Sequence, residues 1–293
     1  MVMSLALLHT GARLSVTSFS VHPSTVIGIL GLAGLYEYGA RRVTTSAAPS
    51  APAPRAGPAP TRGQRTAFYL GLLSMFLSLN GWLHDLSDEY LFSAHMVQHL
   101  VLAFVVAPLM VMGTPGSLLR PVLSIRGIGP VARWVTAPVR CFAIFTVVIA
   151  GWHLPPLYNY ALAHHPVHIV EHLMFLAASV IMWWPILSPL PELPRLSYPG
   201  QMLYLFLLSI PMMIVSVYLV YADGLLYPQY ASAPRIWGIT PMADQMIGGL
   251  IMWIPGGLFF YTIISIVFYR WQQRDGVEST AGAQVDWAQD GSG

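Results

Sequence analysis

The sequence predicts an all-α integral membrane protein, a seven-helix bundle with its N-terminus outside and its C-terminus inside. Three observations carry that prediction. Of 293 residues, 55% are hydrophobic and only 9% charged, whereas a soluble domain carries about 25% charged residues; the mean hydropathy is +0.60. Seven apolar segments recur, near residues 22–40, 66–84, 90–112, 138–154, 165–187, 200–221 and 243–269. Each approaches the roughly 20 residues a helix needs to cross the hydrocarbon core. The third observation is the placement of the basic residues, all 14 of which are arginine.

Residues 1–20 read as an outer leader, because no basic residue precedes their short apolar run as a secretory signal requires. The membrane domain then spans 21–271. An Ala/Pro-rich stretch at 44–65 interrupts it and lacks core-forming residues, so it reads as a disordered cytoplasmic linker. Residues 272–293 read as a disordered cytoplasmic tail. Arg41, Arg42, Arg55, Arg62 and Arg65 lie in the first connection, and Arg120, Arg126, Arg133 and Arg140 in the third. Arg195 lies in the fifth, and Arg270 and Arg274 follow the last span, leaving Arg13 and Arg235 opposite. Basic residues are retained on the cytoplasmic side, so an odd number of spans sends the N-terminus outside.

Composition also excludes functions. A net charge of +2 gives no basis for nucleic-acid binding. The single cysteine, Cys141, rules out an intramolecular disulfide and paired-thiol chemistry.

In this orientation all ten histidines fall on, or within, the outer half. The third span carries His95 and His99, and the fifth carries His168 and His172. Residues four apart share a helix face, so each helix offers two imidazoles to one side. Ionisable groups inside a span are costly and usually functional, and imidazole is the commonest metal ligand. His84 closes the second span beside Asp85, and His153 closes the fourth. His22 reads as an interfacial residue, and His9, His164 and His165 as solvated ones. Two readings coexist for these histidines: hydrogen-bonded packing groups, or one shared metal site. Their one-sided distribution favours the site.

Around that candidate set, Met246 and Met242 share a face at the outer end of the seventh span. Thioethers suit Cu(I), although methionine is also an ordinary packing residue. Asp244, in the first turns after Pro241, complements its own helix dipole. Glu171, Asp85 and Asp244 are candidates to orient metal-bound imidazoles. The run His168-Ile-Val-Glu171-His172 also reads as H-x-x-E-H, a zinc-peptidase pattern, in which Glu171 would activate water and a third ligand would be needed.

The blocks HMVQHLVLAFVVAPLMVMGTP, WHLPPLYNYAL, HPVHIVEHLMFLAASVIMWWPIL and ADQMIGGLIMWIPGG resemble the CtaG-type assembly proteins of caa3-type cytochrome c oxidase. The likeness extends from about the second span to the seventh. It implies a bacterial plasma-membrane assembly factor, not an enzyme, that aids insertion of the oxidase's copper centre. The family's His-rich blocks fall on His95, His99, His153, His168 and His172. Oxidase subunits, an outer-side copper donor and the lipid bilayer are the expected partners, and copper as Cu(I), with zinc as the alternative, is the expected metal. An unrelated single-span copper chaperone shares the family's name, but its cysteine chemistry has no counterpart here. Two rival functions stand beside this one: an intramembrane zinc metallohydrolase and a b-type haem electron carrier, since facing histidines also ligate haem.

Overall fold

A computed structural model describes residues 19–46 and 57–290, and among these residues the fold is entirely helical. Residues 1–18 of the expected leader and 47–56 of the expected linker lie outside the described residues. Helix α1 (Pro23–Ser46) and helix α2 (Arg62–Ser78) reach into the two ends of the stretch 44–65. A capping box at Thr61 and Gln64 starts α2: Gln64 N–H donates to the Thr61 hydroxyl, and its side chain accepts from Thr61 N–H. Two otherwise orphaned donors are thereby satisfied.

The expected second span is broken. α2 ends at Ser78, and α3 (Gly81–Glu89) restarts after a 44° bend. The break falls where Gly81 takes φ 65°, a conformation open to residues without a Cβ. The third span is continuous over Phe92–Gly113, as α4 (Phe92–Val101), a π-helical turn (Leu102–Val106) and α5 (Ala107–Gly113). Two short helices, α6 (Gly116–Leu123) and α7 (Ile128–Val135), follow, and α7 meets α8 (Pro138–Trp152) at 76°. Helix α9 (Pro155–Ala163) leads into α10 (His165–Leu187), then come α11 (Tyr198–Val220), the short α12 (Gln229–Ser232) and α13 (Pro241–Asp290). Helix α13 continues through the stretch expected to be a disordered tail.

Among the described residues, four helical stretches are long and apolar enough to cross a membrane, and up to six if each bent pair counts as one span. Helix α1 is not among them. Outward-facing residues include Leu173, Leu203, Ile214, Leu258 and Val147. Helices ringed by apolar side chains on their outer faces belong in hydrocarbon rather than water.

The main core lies where α4, α8, α10, α11 and α13 meet, with Phe92, Met96, Phe145, Phe175, Met182, Trp183, Leu205 and Phe260 buried in it. A smaller cluster of Tyr36, Phe68, Leu72 and Met75 joins α1 and α2 to the π-helical turn through Leu102 and Val106. Gly248 brings α13 against α4 closely: a Cβ there would stand 2.5 Å from the Phe92 ring. This small-residue contact fixes α4, which carries half of the candidate site.

Candidate metal centre

Helix α10 packs against the π-helical turn and α5, which continue α4, and the one-turn histidine pairs of α4 and α10 meet at the end of that contact. On α4 the His95 and His99 rings lie 4.2 Å apart between centroids; on α10 His168 and His172 lie 4.4 Å apart. Across the two helices, His95 is 5.5 Å from His168 and 5.7 Å from His172, and His99 is 5.5 Å from His172. Glu171 rises from α10 between the α4 rings, with Oε1 3.7 Å from Nε2 of both His95 and His99.

Two overlapping donor sets result: His95, His168 and His172, and His95, His99 and Glu171, each with its donor atoms within 4.8 Å of one another. His95 belongs to both. Eight atoms of this cluster are buried without a hydrogen-bond partner: both ring nitrogens of His95 and His99, Nε2 of His168 and His172, and both Glu171 oxygens. A buried polar atom left unpaired costs about 1–3 kcal/mol, and native proteins hold only a few per hundred residues. A cation bound among these atoms would take one donor atom from each residue that it engages. The donor set fits copper or zinc, which take imidazole and carboxylate ligands.

The surrounding groups set tautomers. Asp88 Oδ2 lies 3.5 Å from His168 Nδ1 and 3.5 Å from His84 Nε2. The carboxylate favours a hydrogen on His168 Nδ1 and turns the Nε2 lone pair inward, the arrangement by which outer carboxylates orient metal-bound histidines. The Gln98 amide donates to Ser78 O at 2.6 Å and to His84 Nδ1 at 3.1 Å, while its oxygen accepts from the Ser87 hydroxyl. In a neutral ring the hydrogen of His84 is then on Nε2, facing Asp88. His84 therefore acts as a support for the carboxylate.

His153, at the end of α8, contacts Ile149 O through Nδ1 at 2.7 Å. A carbonyl only accepts, so Nδ1 carries the hydrogen. The Nε2 lone pair then faces Met96 Sδ at 3.4 Å, and the ring centroid is 6.1 Å from that of His99. An imidazole nitrogen and a thioether facing one another are a soft donor pair. The Tyr227 hydroxyl holds the His153 carbonyl at 2.8 Å.

Other expected site residues go elsewhere. Met246 is 42% exposed, and the thioether that faces His153 is that of Met96. Asp85 accepts from the Ser20 hydroxyl. Asp244 accepts from Phe92 N–H at 2.6 Å and from Ser93 N–H and hydroxyl at 3.1 and 2.5 Å. It thus caps the first turn of α4 from another helix, a role beyond complementing its own dipole. His164 and His165 are exposed, and His9 lies outside the described residues. Asp88 and Met96 escaped the sequence reading. Asp88 stands one turn after His84, and Met96 three residues before His99, signals too common to single either out.

A polytopic helical protein with a buried histidine cluster between two of its apolar helices is the class that fold and site define. A family profile described as cytochrome c oxidase caa3 assembly factor (Caa3_CtaG) matches residues 34–274. The chain belongs to this cytochrome c oxidase assembly factor family. It is also similar to uncharacterized proteins of Mycobacterium bovis and Mycobacterium tuberculosis, 28% identical over 207 residues in each, covering 63% of this chain and 30% of theirs. A third, from Mycobacterium leprae, is 24% identical over 237 residues, covering 75% of this chain and 36% of its own. The chain thus spans about a third of the length of these relatives. No solved structure matches it significantly.

Proposed function

We propose that this protein assists cytochrome c oxidase maturation by holding copper, as cargo, between α4 and α10 before its insertion into the oxidase copper centre. The single observation that carries this reading is the cluster of eight unpartnered buried atoms from His95, His99, His168, His172 and Glu171. His153 and Met96 extend the cluster with a softer pair suited to Cu(I). Family membership supplies the oxidase; the donor chemistry supplies the metal.

The finer topology belongs to the same proposal. Seven spans, with α1 as the first, place the N-terminus outside and the histidine end of the bundle at the outer face of a bacterial plasma membrane. There an outer-side donor delivers copper and the oxidase subunits receive it. Single cysteines at Ser50 and Ser232 test this orientation in intact cells with an impermeant thiol reagent, because native Cys141 is fully buried. Labelling at 232 and protection at 50 is the expected pattern; the reverse overturns the orientation.

The metallohydrolase reading keeps one specific observation in its favour, the three-nitrogen set of His95, His168 and His172, with Glu171 in the overlapping set. Glu171→Gln separates the two readings. A general base would be lost with the carboxylate and abolish function, whereas a supporting acceptor keeps a carbonyl oxygen and retains part of the copper delivery. The haem alternative is disfavoured by packing: the imidazoles of α4 and α10 stand ring against ring at 5.5 Å, which suits an ion better than a macrocycle. In cells lacking the protein, oxidase polypeptide should be present but deficient in copper and activity. His99→Ala at equal abundance should reproduce that state. Fully copper-loaded oxidase in the His99→Ala strain would overturn delivery through this pair.

A further inference from the structure

Beside the centre lies a cavity of about 340 Å³ between α1, α2 and α10. Its wall includes His22, Ser24, His84, His165, His168 and His172. Three of these imidazoles, His165, His22 and His84, precede the centre in a graded series that ends on His168. His165 and Ser24 are exposed, His22 is half-buried, and His84 and His168 are 6% and 5% exposed. The steps between ring centroids are short: 6.5 Å from His165 to His22, 4.2 Å to His84, 6.3 Å to either His168 or His172, and 5.5 Å from His168 to His95.

We propose that this cavity is the loading port of the metal centre, and that His22 and His165 at its mouth are the first ligands a soft or borderline cation meets. The inference rests on the copper-holding reading and adds its route. A cation that leaves His22 and His165 passes the His84 ring, both of whose nitrogens are engaged, and is taken up by His168 and His172, inside a wall where a bare ion would be costly. Asp88, 3.5 Å from both His84 and His168, places a carboxylate midway. It lowers the cost of a positive charge beside His84 and His168. Because Gln98 already occupies His84 Nδ1, His84 lines the route and leaves retention to the rings beyond it. No oxidation or reduction is required at any step; ligands alone are exchanged.

The test uses the full-length protein in detergent and the Cu(I) ion, supplied from a coloured Cu(I) chelate, with the rate and the final stoichiometry of uptake both recorded. The first variant is the double change His22→Ala, His165→Ala. The second is Gly28→Phe, which adds a ring to the cavity wall without removing a donor; a Cβ at Gly28 meets no atom within 4 Å. Both should load at least about ten-fold more slowly, the scale on which outer groups alter metal sites, while reaching the parental stoichiometry. Parental loading rates in both variants overturn the port and leave the centre standing. A lower final stoichiometry in the double variant also overturns it, by making those histidines part of the retaining site. A parent protein that takes up no Cu(I) overturns the centre and the port together.

Discussion

The two ends of α10 are opposite in character. Toward one end, the Trp183 indole donates to Ala103 O at 2.8 Å, the Tyr204 hydroxyl to Met182 O at 3.0 Å, and the Ser179 hydroxyl to Phe175 O at 2.7 Å. The polar atoms are few, and each of these three finds a carbonyl among Phe145, Leu205 and Leu208. Toward the other end, four histidines and a glutamate are buried with eight atoms unpaired. Elsewhere among the described residues such atoms occur singly, as at Ser117, Thr146, Asn159 and Trp184. Packing alone explains the first end. The second has been kept polar at a cost to stability, as functional sites are.

Changes at the two ends should therefore separate affinity from stability. The largest loss of copper affinity is expected for His95→Ala, because His95 belongs to both donor sets. A fall on the order of 100-fold or more, at the upper end of what supporting groups alone produce, should appear in a chelator competition titration. The protein should remain folded, since the substitution removes two unpaired nitrogens. Leu205→Ala inverts this pattern. It should lower unfolding stability by about 2–5 kcal/mol through cavity formation and leave copper affinity unchanged. If His95→Ala unfolds the protein and Leu205→Ala weakens copper, the two ends are not distinct.

Smaller effects sharpen the boundary. Asp88→Asn keeps the volume but removes the charge that orients His168, so affinity should fall about ten-fold, with titration against the same chelator as the measure. Asp244→Ala removes the cap from the first turn of α4 and should cost about 1 kcal/mol of stability, visible as a lowered unfolding midpoint. Met96→Ala should weaken Cu(I) selectively over Zn(II), whereas Met246→Ala, at an exposed position, should change neither. A selective loss at Met246 instead would move the thioether ligand to α13.

Periodicity made the long helices and both histidine pairs legible, because i and i+4 share a face whatever surrounds them. Helix α10 runs from His165 to Leu187, as its apolar run indicates. The break at Gly81 was hidden, since a glycine in an apolar run signals a bend only when its backbone torsion is known. The meeting of His95 with His168 was also hidden: sequence spacing places side chains on one helix, not helices beside each other. Asp88 and Met96 gained their roles only through cross-helix contacts 3.4–3.5 Å long. Asp244 was legible as a helix-start residue, but the helix it caps is another one, 151 residues away at Ser93.

The central claim is that the imidazoles of α4 and α10 together hold copper. X-ray absorption at the copper edge of the Cu(I)-loaded, full-length protein tests it most directly, compared with His95→Ala and His172→Ala. The expected coordination shell is dominated by imidazole nitrogen, with the imidazole scattering reduced in each variant, one from each helix. An unchanged spectrum in both variants, or a shell without imidazole in the parent, would contradict it.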